Sequence, residues 1–216
     1  FALDMKGKIL WQTVFGRSWT QSYPESRATP TVEGNRVYCT SGYGDLACVD
    51  GTTGKIIWSY KASEIHKGTY GSWGIAEAML IDDNKVYFSP GGPQTMTIAL
   101  DKTNGKLLWK SASLNDKPGY VSPILVNYAG KKMLINVSLG HVFGVDVSNG
   151  EILWKVAHIN KEGGDLIKCV TPLFSDGRVY VTGGYNTGGM IIEIGKDGKS
   201  AKVVWTDDVL DVHHGG

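Results

Sequence analysis

Eight side chains hold most of the chemistry this sequence of 216 residues can offer: Arg17, Trp19, Arg27, Trp73, Tyr120, Lys168, His213 and His214. All are basic or aromatic. Rings stack on planar groups and cations attract anions, so the mixture suits a planar or anionic ligand better than acid–base work. The competing reading is that they pack loops and the rim of a channel, since function has to be argued from a site and not from a fold.

Other chemistry is thinly represented. Adjacent side chains on a strand point to opposite faces, so His213 and His214 are poorly placed to share one metal. His66, His141 and His158 show no ligand spacing, and no metal site is expected. Glu25, Glu77 and Asp211 fall near the same face as the eight, but in no calcium-binding or catalytic pattern. There is no Gly-x-Ser-x-Gly elbow, His-Glu-x-x-His helix or phosphate loop.

Three cysteines are present. Cys39 and Cys48 flank a hairpin turned at Tyr43-Gly44. With a two-residue loop, opposed positions sum to 87, as 39 and 48 do, which makes them a bridgeable pair. A bulge at Gly44 would slip the register by one and abolish the pair. Buried free thiols, including Cys169, are the commoner arrangement.

The elements that position these residues are declared by a repeat. Asp4 to Trp11, Asp50 to Trp58, Asp101 to Trp109, Asp146 to Trp154 and Asp197 to Trp205 are five versions of one block: Asp, a Gly-bearing turn, apolar residues, Trp. The Trp spacings are 47, 51, 45 and 51 by subtraction. Asp bonds nearby backbone and Gly takes a left-handed conformation, so the pair brackets a tight turn. Trp offers a large apolar face and one N–H, which suits packing between neighbouring units. A second block recurs upstream, at Thr29-Pro30, Glu77-Ala78, Ser122-Pro123 and Thr171-Pro172, each leading into a short hairpin.

Each unit therefore reads as four strands, A to D. Four-stranded units at this period predict an all-β propeller of four-stranded blades, with almost no helix. A β-sandwich would not need the recurring turn and Trp. Composition agrees, with 29 Gly, 7 Trp and 10 Tyr. A formal net charge of +1 gives no footprint for nucleic acid or an anionic membrane, and no apolar run suffices for a membrane-spanning segment.

The repeated block resembles the tryptophan-docking motif of pyrroloquinoline-quinone (PQQ) repeat propellers, most closely at Asp50 to Trp58. On that resemblance, Trp11, Trp58, Trp109, Trp154 and Trp205 are structural docking residues. Gly42-Tyr43-Gly44 and His213-His214-Gly215-Gly216 look most like uncharacterised bacterial members. The resemblance implies a periplasmic or extracellular location. It leaves two functions open: a non-catalytic binding or scaffold module, with no cofactor evident, or a segment of a quinoprotein alcohol dehydrogenase using PQQ with calcium. The vicinal cysteine pair of the best-known dehydrogenases does not occur in this sequence.

Counting blades, 1–16 is a half-blade, 17–60, 61–111, 112–157 and 158–208 are blades, and 209–216 starts another. About four and a half blades make a partial ring, read as part of an eight-bladed propeller. Its partners would then be the remaining blades of the same protein and an unknown protein or small-molecule ligand. Open inner faces predict that the piece alone self-associates. In a propeller the D-to-A connections converge on the axis, and this places Arg17, Trp19, Arg27, Trp73, Tyr120, Lys168, His213 and His214 together.

Overall fold

The computed structural model describes residues 1–158, 167–210 and 212. A two-stranded unit, β1 (Ala2–Leu3) and β2 (Ile9–Trp11), precedes four antiparallel four-stranded sheets. The first sheet is β3 (Thr31–Glu33), β4 (Arg36–Thr40), β5 (Asp45–Asp50) and β6 (Ile56–Lys61). The second is β7 (Leu80–Asp82), β8 (Lys85–Phe88), β9 (Ile98–Asp101) and β10 (Leu107–Lys110). The third is β11 (Ile124–Tyr128), β12 (Lys131–Val137), β13 (His141–Asp146) and β14 (Ile152–Ala157). The fourth is β15 (Leu173–Ser175), β16 (Arg178–Gly183), β17 (Gly188–Ile194) and β18 (Ala201–Asp207). Each sheet runs in chain order, so each is one propeller blade. Among the described residues helix is confined to one turn, α1 (Ala62–Ile65), and none is long and apolar enough to cross a membrane.

The turn chemistry is local and explicit. Asp50 Oδ1 accepts the amides of Thr52 and Thr53 at 3.1 and 2.7 Å, and Gly54 closes the turn at φ +72. Asp101 does the same for Thr103 and Asn104, with Gly105 at φ +71. Hydrogen bonds from the Thr53 amide and hydroxyl hold the Asp50 carboxyl below its ordinary range, and those from Thr103 do so for Asp101.

These turns receive the indoles of the preceding unit. Trp11 donates to Gly51 O at 2.8 Å, Trp58 to Lys102 O at 2.9 Å and Trp109 to Val147 O at 3.0 Å. Each ring lies on the turn glycine of the next blade. A Cβ on Gly54, Gly105 or Gly150 would come within 2.7, 2.8 or 2.6 Å of the indole. Trp154 and Trp205 depart from this pattern. Trp154 is buried, but its N–H has no partner. The fourth blade's turn is closed instead by Gly195 N–H to Ser200 O, and Gly198 faces Lys131 and Ala129. Trp205 is 47% exposed. The core accordingly lies between blades: Tyr38, Trp58, Met79 and Phe88 join the first two, and Tyr87, Phe143 and Val145 the next. Val126, Met133, Trp154, Val181 and Met190 join the last two.

The register of the cysteine hairpin removes the possible bridge and leaves free thiols, the commoner arrangement. Strand β4 pairs Cys39 with Ala47 and Tyr38 with Cys48, so the sum is 86. Gly44, at φ +76, adds a residue to the loop between Ser41 and Asp45 and slips the register. Cys39 and Cys48 thus face opposite sides of the sheet, and all three cysteines are free. Alkylation of the unfolded, unreduced protein should add three labels by mass, where a bridge between Cys39 and Cys48 would leave only one.

Candidate functional site

Four D-to-A connections meet around one open cleft of ≈ 640 Å³. The β2–β3 connection brings Tyr23 and Arg27, and the β6–β7 connection brings Trp73 and Ala76. Tyr120 comes from β10–β11, and Ile167 and Cys169 from β14–β15. Tyr185 leans in from the β16–β17 turn.

The connections hold one another in place. The guanidinium of Arg27 donates to the carbonyls of Ser22 and Tyr23 through Nη2 and to that of Glu25 through Nη1. It thereby curls a loop in which Tyr23 and Glu25 sit at φ 49 and 114, conformations L residues seldom take unaided. Tyr23 packs on Trp73 with centroids 5.4 Å apart. The Trp73 amide donates to the Tyr120 hydroxyl at 3.4 Å, and the Tyr120 amide to Lys168 O at 2.8 Å. Gly71 is required here, because a Cβ would lie 2.0 Å from the Tyr120 hydroxyl.

Of the eight side chains singled out from the sequence, Arg27, Trp73 and Tyr120 line the cleft. Arg17 and Trp19 do not. Arg17 forms a two-pronged pair with buried Asp45, Nε at 3.0 Å and Nη2 at 3.1 Å, and lies over the Tyr43 ring at 5.2 Å. Burial alone would raise the Asp45 carboxyl, but the hydrogen bonds and charge of Arg17 outweigh it and the net shift is downward. Trp19 is 1% exposed, wedged between Tyr43 and Tyr70, with its N–H on Ser22 O. Lys168 adjoins the cleft in sequence, but its chain is buried against Gly183 and Thr187, and burial lowers its ammonium to about 8. His213, His214 and Asp211 lie outside the described residues. Tyr185 was missed. Its one sequence signal is an aromatic residue inside the Gly-rich turn Gly183-Gly184-Tyr185-Asn186.

Among the described residues no carboxylate lines the cleft. The nearest in sequence, Glu77, follows the lining residue Ala76 but is itself 1% exposed, behind the cleft between the second and third blades. Ser89 and Asn136 hydrogen-bond its carboxyl, while Oε1 has no partner. Burial dominates and raises it to about 8, so it is neutral at pH 7. Calcium, which a quinoprotein reading implies, does not fit this set. Asn136 turns its oxygen to the Val137 amide at 2.8 Å and its NH₂ to Ser89 at 2.9 Å, offering donors where a cation needs acceptors. Among the described residues no three His, Cys, Asp or Glu side chains gather at one point.

A Ser–Asp–His group elsewhere has the wrong wiring for hydrolysis. Asp116 Oδ2 accepts from Ser138 Oγ at 2.6 Å and the Gly140 amide at 2.8 Å, with His141 Nδ1 at 3.0 Å. Serine and imidazole thus share one carboxylate oxygen instead of bonding to each other, and Ser138 is fully buried. The group ties the β12–β13 turn.

Comparison with known proteins gives a consistent picture. The profile of the family described as outer membrane protein assembly factor BamB matches residues 1–215. A quinoprotein ethanol dehydrogenase of Pseudomonas aeruginosa is 30% identical over 150 residues, 62% of this chain and 22% of that enzyme. Among solved structures, BamB of Moraxella catarrhalis superposes with a TM-score of 0.56 at 16% identity, over 80% of this chain and 49% of that one. A europium-containing methanol dehydrogenase gives 0.63 at 15% identity, over 94% and 44%. The chain thus spans about a fifth of the curated relative and under half of these two structures' lengths.

Proposed function

We propose, for a chain that belongs to the PQQ-repeat β-propeller family, the role of a non-catalytic binding module working outside the cytoplasm. The observation that carries this reading is the composition of the axial cleft. Among the described residues, Tyr23, Trp73, Tyr120 and Tyr185 surround one guanidinium, and no acid, base or activated nucleophile lines the cleft with them. Flat rings plus a single fixed cation suit a planar or ring-faced ligand bearing an anionic group, held without being transformed. The same rings would serve equally to grip an aromatic or carboxylate side chain of a protein partner. The remaining blades of the full protein complete the walls.

The second reading is a segment of a PQQ-dependent alcohol dehydrogenase. It is favoured by one specific observation, the likeness to a quinoprotein ethanol dehydrogenase. One experiment on the full-length protein addresses both. Naphthalene-2-carboxylate, used as a planar anionic probe, should quench tryptophan fluorescence saturably. Arg27→Ala should weaken it by about tenfold or more, the worth of a charge-assisted hydrogen bond. Absence of saturable quenching would refute the cleft as a binding site. Sustained dye reduction on adding PQQ, Ca²⁺ and an alcohol would replace the binding reading with the enzymatic one.

A further inference from the structure

Glu77 is the most deeply buried acid among the described residues, and, unlike buried Asp45, it has no cation beside it; nothing in the binding reading uses it. It stands three residues before its blade's first strand, the place that Ala28, Val121 and Val170 hold in the other blades, where a small apolar side chain is the rule. A carboxyl there must push past the sheet into the seam between blades. It reaches Ser89, just after β8, and Asn136, on β12 of the next blade. Ser89 in turn meets the Thr97 hydroxyl at 3.3 Å. These groups are all uncharged, and no charged neighbour enters the balance on Glu77. Ser89, Thr97 and Asn136 are 0, 1 and 3% exposed.

Two further features link this acid to the cleft. Ala76, its chain neighbour, lines the cleft, and so does Trp73 one turn of chain earlier. The segment between them is mounted on Gly74 at φ +76, whose own contacts are the Gly42 carbonyl and the Trp19 ring. A shift of Glu77 toward water therefore draws on the same short stretch that sets the cleft wall.

We propose that Glu77 is a proton-operated latch: neutral, it clasps the second blade to the third and holds the Trp73 wall of the cleft in its binding form; ionised, it releases that wall. The physical reason is that an anion in this seam has only the Ser89 hydroxyl and amide and the Asn136 side chain as donors, which do not offset its burial, and leaves Oε1 unpartnered. Relief comes most cheaply by moving residues 73–77 outward, since the blades on either side are locked by complete strand ladders. The proposal assumes the cleft is a binding site only for its ligand readout. The wall movement stands independently of that.

The test uses the full-length protein between pH 6.5 and 9.5. The contribution of Trp73 to fluorescence, taken as the difference between wild type and Trp73→Phe, should change with the loss of one proton at a midpoint of about 8. Affinity for naphthalene-2-carboxylate should fall about tenfold per pH unit above that midpoint, because only the protonated form binds. In Glu77→Gln both signals should stay flat. Ser89→Ala, a milder change that removes a donor to the anion, should move the midpoint upward. Identical titrations in wild type and both variants, or no titration at all, would overturn the latch. A Trp73 transition abolished by Glu77→Gln, with no probe bound at any pH, would keep the latch and defeat the binding reading.

Discussion

Trp58→Ala should lower the unfolding free energy by about 3–5 kcal/mol, while Trp205→Ala should change it by less than about 1 kcal/mol. Urea denaturation followed by circular dichroism measures both. The contrast follows from what each indole touches. Trp58 is 6% exposed, lies on Gly105 of the next blade and packs on Tyr38 at 6.0 Å. Its deletion opens a large void at the seam of the first two blades. Trp205, 47% exposed, has no comparable bed among the described residues. Trp58→Phe should be much milder than Trp58→Ala. The carbonyl of Lys102 that loses the indole N–H still accepts from the Tyr38 hydroxyl at 3.3 Å and from Arg36 at 3.2 Å. Equal losses for the alanine variants at positions 58 and 205 would remove the argument that seams between blades carry the stability.

Glu77→Gln should flatten the dependence of stability on pH. The folded-state carboxyl titrates at about 8, well above its ordinary value of 4.5, so the folded protein holds a proton that the unfolded chain gives up. The stabilisation is full below pH 4.5 and drains away as pH rises to about 8, at roughly 1.4 kcal/mol per unit. Over that span the wild type should lose on the order of 4 kcal/mol relative to the glutamine variant. The two stability curves, measured from pH 4 to pH 9, should therefore diverge steadily through neutrality and run parallel outside it. Parallel curves throughout would place Glu77 in contact with water.

The blade repeat could be read from residues alone because its signals are local. An Asp that caps two amides and a Gly at positive φ act within five residues of each other, and nothing distant can override them. Long-range features were less legible. The hairpin at Cys39 and Cys48 turned on one extra loop residue at Gly44, which moved the two thiols to opposite faces. Topological position was enough to bring Arg27, Trp73 and Tyr120 to the cleft. It failed for Arg17 and Trp19, because Asp45 and the rings of Tyr43 and Tyr70 claim them first, and those contacts lie about thirty or more residues away in sequence for the Asp45 and Tyr70 partners. Tyr185 was overlooked because it arrives from a turn between strands and not from a connection between blades. Glu77 could be placed near the face, but its charge state depends on burial that only packing reveals.

The indoles of Trp11, Trp58 and Trp109 each find their bed one blade ahead, on a turn encoded about forty residues downstream. The coupling is thus one-directional and reaches no further than the adjacent module. Such an architecture can gain or drop whole modules by gene duplication or deletion without any other module needing a compensating change, much as carriages are added to a train. Ring size then becomes an evolutionary variable separable from the chemistry at the hub, and relatives of very different length can keep the same modules.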